Sequence, residues 1–220
     1  MYNFVVIAGG GKFGVKAYNE LSLLSKKIII IDKNPNCIAS KMKLELIIED
    51  APKYITELLE KNIIPDLIVP AIPGNLIAKI FLYYINKQGL IVEKNLEDFN
   101  EFLLKIPKDI IVKADEKNTT VVLSHAKDFL CPDNCIPKNI CPITKKKIIP
   151  LYVYVNEALH KDNLAKKIFI SKMISSSIGA ISGKEVYEEI KELKNNLCIG
   201  TLCECHGIIS FLKIRGKNNL

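Results

Sequence analysis

The sequence predicts an α/β fold: a doubly wound, mostly parallel sheet over residues 1–117, then a smaller α+β metal-binding segment over 118–220. Three observations carry this expectation. Short apolar runs alternate with helical patterns through the first 115 residues, the rhythm of parallel strands joined by crossover helices. A glycine triplet stands between the first apolar run and the first helical pattern. Seven cysteines, most of them beyond residue 130, mark the second part as chemically different.

Taken in order, strands are expected at 3–8, 27–32, 43–48, 66–70, 89–92 and 109–113. Several are nearly continuous Ile, Leu and Val, as strands buried on both faces should be. Helices are expected between them at 12–25, 51–61, 75–87 and 95–105. Asp50 before Pro52 reads as a helix start, and Asn75 as the cap of a helix beginning at Leu76. After Asp115–Asn118 the rhythm changes. A strand at 119–124 leads into a Cys- and Pro-rich loop at 131–142 and a lysine run, Lys145–Lys147. A short segment at 151–159, a strand at 167–174 and a small-residue stretch at 175–183 follow. Ser182 and Glu185 fit a capping box, and Val186, Ile190, Leu193 and Leu197 recur at helical spacing on one face.

Composition narrows the function. With 49% hydrophobic and 25% charged residues among 220, the chain can bury a core and is not a disordered protein. The formal charge of +7 lies mostly in the second half, yet Arg215 is the only arginine among 31 basic residues. That argues against nucleic acid as a partner, since the bidentate forks that read phosphate and guanine are missing. The most apolar stretch, Ile63–Ile85, contains Asp66, Lys79 and three prolines, so no membrane span is expected. The opening Phe4–Ala8 run is too short for a signal peptide. The expectation is a cytoplasmic protein, in which clustered cysteines point to metal or redox chemistry rather than structural disulfides.

Gly9-Gly10-Gly11-Lys12-Phe13-Gly14 contains G-x-G-x-x-G through Gly9, Gly11 and Gly14. A strand feeds into it, a helix leads out, and the next strand ends in Asp32, eighteen residues beyond Gly14. In a dinucleotide-binding turn Gly9 permits the tight bend, Gly11 lets a pyrophosphate approach the backbone, and Gly14 lets helix and strand close together. The helix N-terminus at Lys12 and Phe13 offers free amides and a positive dipole end to the phosphates. Asp32 can accept hydrogen bonds from both adenosine ribose hydroxyls and would repel a 2′-phosphate, whereas Lys33 beside it could partly accommodate one. NAD is therefore the expected cofactor.

The segment Val5–Gly14 with Ile28–Pro35 resembles the NAD-binding Rossmann domain of potassium-conductance regulators, the RCK or TrkA-N type, over about 40 residues. Family members usually carry one glycine where this chain has three. The triplet is also similar to that of precorrin-2 dehydrogenases of sirohaem synthesis, which lack an acid at the Asp32 position. Neither family carries the cysteines. The whole chain loosely resembles small Rossmann proteins of unassigned activity with Cys-Pro clusters. What the resemblance implies is a Rossmann sheet and NAD at residues 9–14, 32 and 33.

Cys131, Cys135 and Cys141 occupy a loop with Pro132, Pro137 and Pro142; Cys203-Glu204-Cys205-His206 follows far downstream. Three close thiols and a remote fourth make a four-ligand set, for which Cys205 is the first choice, with Cys203 and His206 as alternatives. Zinc takes four Cys or His ligands in a structural site; a [4Fe–4S] cluster takes four thiolates. Both an iron–sulfur cluster and zinc remain open. Cys37 and Cys198 lie in apolar runs and read as core residues. His125 ends a strand beside the cysteine loop and is a candidate proton donor or ligand; His160 has no chemical company. The function expected is an NAD(H)-binding protein with a Cys-ligated metal site, acting as an oxidoreductase or redox protein on a small molecule or protein partner. A non-enzymatic NAD or redox sensor with structural zinc is the alternative, and a homodimer is compatible with either.

Overall fold

A computed structural model describes residues 1–132, 135, 139–159, 163–174 and 178–216. In chain order the elements begin with β1 (Val5–Ala8), α1 (Lys12–Leu21), β2 (Ile28–Ile31), α2 (Ile38–Lys41), β3 (Leu46–Ile47), α3 (Ala51–Glu60) and β4 (Leu67–Pro70). Next come α4 (Leu76–Lys87), β5 (Ile91–Lys94), α5 (Leu96–Lys105), β6 (Ile111–Asp115), β7 (Thr120–Ser124) and α6 (Leu151–Ala158). The last are β8 (Ala165–Ile170), β9 (Lys172–Met173), β10 (Gly179–Ser182), α7 (Gly183–Glu189), β11 (Asn196–Leu202) and β12 (His206–Arg215). The chain is α/β, with two mixed sheets in two compact units: 1–84 with 172–192, and 85–171 with 193–220. No helix among the described residues is long and apolar enough to cross a membrane.

The first unit holds a sheet of order β3-β2-β1-β4-β10-β9. β1 pairs parallel with β2 on one side and β4 on the other, Val5 standing opposite Ile28 and Leu67. Every residue of β1 and β2 is buried, so both faces of these strands are covered, and an unbroken Ile/Val run is what that position demands. Val15, Ala17 and Leu21 of α1 pack on Val5, Ile7, Ile28 and Ile30. The expected caps form: Asp50 accepts from the Lys53 amide and buried Asn75 from the Ala78 amide, while Ser182 accepts from the Glu185 amide at the start of α7.

The second unit is built on β6-β7-β12-β11-β8, with β5 also paired to β12. Only β8 and β11 run parallel; the other pairings are antiparallel. Its core sets Phe99 and Phe102 of α5 against Phe211 of β12, ring centres 6.2 and 5.3 Å apart, with Leu151 and Val155 of α6 beside them.

Four expectations are corrected. The strands expected at 89–92 and 109–113 do not extend the first sheet; as β5 and β6 they belong to the second, so the division at residue 117 falls inside that sheet. The physical reason lies in Ile91-Val92-Glu93-Lys94 and Ile111-Val112-Lys113-Ala114-Asp115, whose charged positions fit an exposed antiparallel strand, not one buried on both faces. The first sheet gains antiparallel β10 and β9 instead, drawn from residues 172–182. The late helix is short: Leu193 lies beyond it, and Leu197 begins the apolar run of β11, paired on both sides. The strand expected at 167–174 breaks at Ser171, which separates β8 from β9.

Candidate functional site

The glycine turn lies in the first unit at the carboxyl end of β1. Gly9 has φ +114°, a left-handed conformation that favours glycine, and its amide donates to the Ile31 carbonyl at 2.7 Å. A Cβ on Gly9 would meet the Ala71 carbonyl oxygen at 2.5 Å, on Gly10 the Cys37 sulfur at 2.6 Å, and on Gly14 the Gly9 carbonyl oxygen at 1.8 Å. Those three glycines are needed for the turn to close against its own protein.

Gly11 is different. A Cβ there would meet nothing within 4 Å, and its φ of −79° and ψ of −164° suit any residue. It is the N-cap of α1, where Ser, Thr, Asp or Asn would supply a side-chain acceptor to the first amides and stabilise the helix by roughly a few tenths of a kcal/mol over glycine. No side chain caps this helix and no acid occupies its first turn. The positive dipole end of α1 thus carries no capping side chain, and it begins at the one glycine of this turn whose Cβ position is empty.

Asp32 closes β2 and turns its carboxylate to the loop. Oδ2 accepts from the Gly10 amide at 2.7 Å and Oδ1 from the Asn34 amide at 2.8 Å. A carboxylate offers about four lone-pair sites, so two acceptor positions remain for hydroxyl donors. Lys12, Phe13 and Lys33 are exposed around the turn. Beside Phe13 a cleft of 370 Å³ is lined by the segment from Val69 to Pro73 and by Ile178 and Gly179. It sits at the carboxyl ends of β1 and β4, where open α/β sheets place ligands.

In the second unit the turn between β11 and β12 carries Cys203–Cys205, and the hairpin register closes with Leu202 opposite Gly207. Three backbone bonds pin this turn: Cys203 N–H to the His206 carbonyl at 2.8 Å, His125 N–H to the Cys205 carbonyl at 3.0 Å, and Leu151 N–H to the Glu204 carbonyl at 3.0 Å. The Cys131 sulfur lies 3.4 Å from His206 Nε2, and the Cys203 sulfur lies 3.8 Å from His206 Nδ1. The His206 amide also donates to the Cys203 sulfur at 3.2 Å. A matching contact occurs in the other segment, where the Thr144 amide donates to the Cys141 sulfur at 3.5 Å. The Cys141 amide donates to the Lys146 carbonyl, and Lys146 pairs with Asp109 at 3.0 Å.

Burial raises the Cys131 thiol, and Cys135, Cys141 and Cys203 are near enough to raise it further. Cys205 is pushed up to about 12 by burial and then by Cys203, Cys135 and Cys141. Burial also raises Cys141, but hydrogen bonds from Thr144 and Ile143 and the nearby Lys145 outweigh it and leave this thiol below its ordinary value. His206 is lowered by burial and by His125. Cys135, Cys141 and Cys203 thus lie within electrostatic reach of Cys131 on the one hand and of Cys205 on the other. All seven cysteines are free thiols, and Cys37 and Cys198 are buried. Among the described residues no three His, Cys, Asp or Glu side chains are arranged so that they could hold a metal ion.

His125 donates through Nε2 to the Ile149 carbonyl at 2.8 Å and through its amide to the Cys205 carbonyl, so it braces the loop. Lys146 is an ion-pair partner. His160 lies outside the described residues. The long β11–β12 hairpin went unread in the sequence, although apolar runs at 197–202 and 208–214 flanking Cys203–His206 are a hairpin signal.

Residues 4–64 match a family model described as "Uncharacterized protein, N-terminal domain". Residues 80–215 match its counterpart, "Uncharacterized protein, C-terminal domain". A protein of Archaeoglobus fulgidus is 32% identical over 229 aligned residues, which cover 94% of this chain and 98% of that protein.

Proposed function

The chain belongs to the AF_1314 family, and we propose that it is an NAD(H)-binding redox protein, with a Rossmann-type cofactor site in its first unit and a thiolate-ligated metal centre in its second. Gly11 carries the cofactor half of this reading: the fold leaves its Cβ position empty and helix α1 uncapped. A pyrophosphate is the group that gains from both features. The parallel order β3-β2-β1-β4 supports it, as does a carboxylate at Asp32 with acceptor positions left for the ribose. The side chains of Lys12 and Lys33 add positive charge at the rim of the turn. When bound, NAD(H) supplies or accepts a hydride at its ring, and the apolar cleft beside Phe13 would shield that ring from water. For the metal half, the gathering of Cys131, Cys135, Cys141, Cys203 and Cys205 supports a centre of zinc or iron–sulfur type.

A second reading, a regulator that reports NAD redox state without turnover, is favoured by one observation. None of the side chains lining the cleft from Phe13 to Gly179 is an acid or a base, so the described lining offers no partner for proton transfer.

Titration calorimetry of the full chain with NAD, NADH, NADP and NADPH tests the proposal. Binding of NAD or NADH in preference to the phosphorylated forms is expected. No heat with any of the four at millimolar ligand would overturn it.

A further inference from the structure

Resting on the cofactor reading above, we infer that Cys37 is a positioning residue for the pyrophosphate: its sulfur, with the Ala39 amide, fixes the Gly10–Gly11 peptide so that the Gly11 N–H is presented to the phosphates. The chain of contacts starts at Asp32. Its carboxylate takes the Gly10 N–H at 2.7 Å and the Asn34 N–H at 2.8 Å. The Asn34 carbonyl accepts the Cys37 N–H at 3.2 Å, and the Ala39 N–H donates to the Gly10 carbonyl at 2.9 Å. Residues 32–39 thus wrap around Gly10 and occupy both of its backbone polar groups.

In a planar trans peptide the C=O and the N–H point in opposite directions. With the Gly10 carbonyl turned to Ala39, the Gly11 N–H points away from α2. The Gly11 carbonyl accepts from the Val15 amide at 3.0 Å, whereas the Gly11 amide has no backbone acceptor among the described residues. That N–H is the donor of this peptide left over for a ligand.

The sulfur keeps the peptide from turning over. A Cβ on Gly10 would meet the Cys37 sulfur at 2.6 Å, the Ala39 Cβ at 3.2 Å and the Asp32 Cβ at 3.4 Å, so the thiol fills the space beside the Gly10 Cα. Cys37 and Ala39 are both buried. Cys37 is also the N-cap of α2, yet its side chain makes no capping bond. Serine is among the best residues at an N-cap. The sulfur here serves the glycine turn rather than the helix.

That division gives the test. Cys37→Ser should turn its hydroxyl to the α2 amides and keep the melting temperature within a few degrees of wild type. It should also loosen the Gly10–Gly11 peptide and weaken ADP and NAD binding about tenfold. Adenosine, which lacks the pyrophosphate, should bind both proteins equally. Cys37→Ala should weaken ADP to the same extent as the serine variant. Calorimetry of the full chain with the three ligands reads these affinities. Unchanged ADP affinity in either variant, or an equal loss for adenosine and ADP, would overturn the positioning role while leaving the cofactor site in place. Wild-type protein that binds neither ADP nor NAD would instead overturn the cofactor reading itself. Amide hydrogen exchange checks the peptide without any variant: the Gly10 amide should exchange slowly, and the Gly11 amide rapidly until ADP is added. A Gly11 amide that bound ADP does not slow would count against the inference.

Discussion

The carboxylate of Asp32 accepts the Gly10 amide at 2.7 Å and so ties the end of β2 to the turn that follows β1. Its other oxygen holds the Asn34 amide. One side chain thereby shapes the loop while keeping about two lone-pair sites for further donors, so bracing the loop and the proposed ribose contact can be separated by substitution.

Asp32→Ala removes both amide acceptors and the ribose acceptors together. It should weaken NAD(H) binding at least tenfold and cost about 1 kcal/mol of stability for one part-buried and one exposed hydrogen bond. Asp32→Asn keeps one acceptor oxygen and should recover most of the stability but not the affinity. Calorimetry with NAD and NADP beside thermal unfolding separates the effects. Wild-type protein that binds NADP as tightly as NAD would remove the ribose role and leave Asp32 a loop brace.

The glycine turn and its Asp32 brace were legible because their parts are close in sequence. Gly9 to Gly14, the strand before them and Asp32 after them are read from local chemistry, and the structure sets them at one end of β1 and β2. The second sheet was not, since β12 recruits β5 from about 120 and β7 from about 85 residues upstream, and nothing local to Ile91–Lys94 names that partner. The helical spacing of Val186, Ile190, Leu193 and Leu197 continued into a strand, hiding the hairpin that carries Cys203 and His206. Cysteine spacing named the thiols and put Cys205 ahead of Cys203 and His206 as the fourth ligand. Cys203 and His206 stand three residues apart in the tight turn between β11 and β12, which the pairing of Leu202 with Gly207 closes.

A small acid-side effect should come from Asp109. The hydrogen bond from Lys146 holds its carboxyl below the usual range. A depressed carboxylate contributes stability above its unfolded value near 3.8, and that contribution is lost as pH falls through the folded value. Both partners are mostly exposed, so screening limits the contribution to roughly 0.5 kcal/mol. Asp109→Asn should cost that amount at pH 7 and nothing at pH 2, and 1 M salt should erase the difference. Urea unfolding at the two pH values measures it; an equal loss at both would assign the effect to packing.

Phe211 is fully buried in the second unit and packs edge-on to Phe99 and tilted against Phe102. Phe211→Ala should cost about 3–5 kcal/mol through lost burial and the cavity left behind. Phe211→Leu, which keeps most of the volume, should cost less than half as much. Denaturant unfolding of both variants in the full chain decides the matter. Equal losses would mean that ring geometry, not volume, holds this core.

Gly11 and Gly14 should respond in opposite ways to an added side chain. Gly11→Val places its side chain in open space with an ordinary backbone conformation, so the fold should survive with a melting temperature within a few degrees of wild type. The same side chain stands where a pyrophosphate would approach the α1 amides, and NAD(H) affinity should fall by about two orders of magnitude. Gly14→Ala forces a methyl group to within 1.8 Å of the Gly9 carbonyl oxygen. Helix α1 must then shift away from β1, at a cost of several kcal/mol. Circular dichroism melts and calorimetry on the pair test the division of labour in the turn. A folded Gly11→Val protein with undiminished affinity would move the cofactor elsewhere, and a Gly14→Ala protein as stable as wild type would show that the helix can yield without cost.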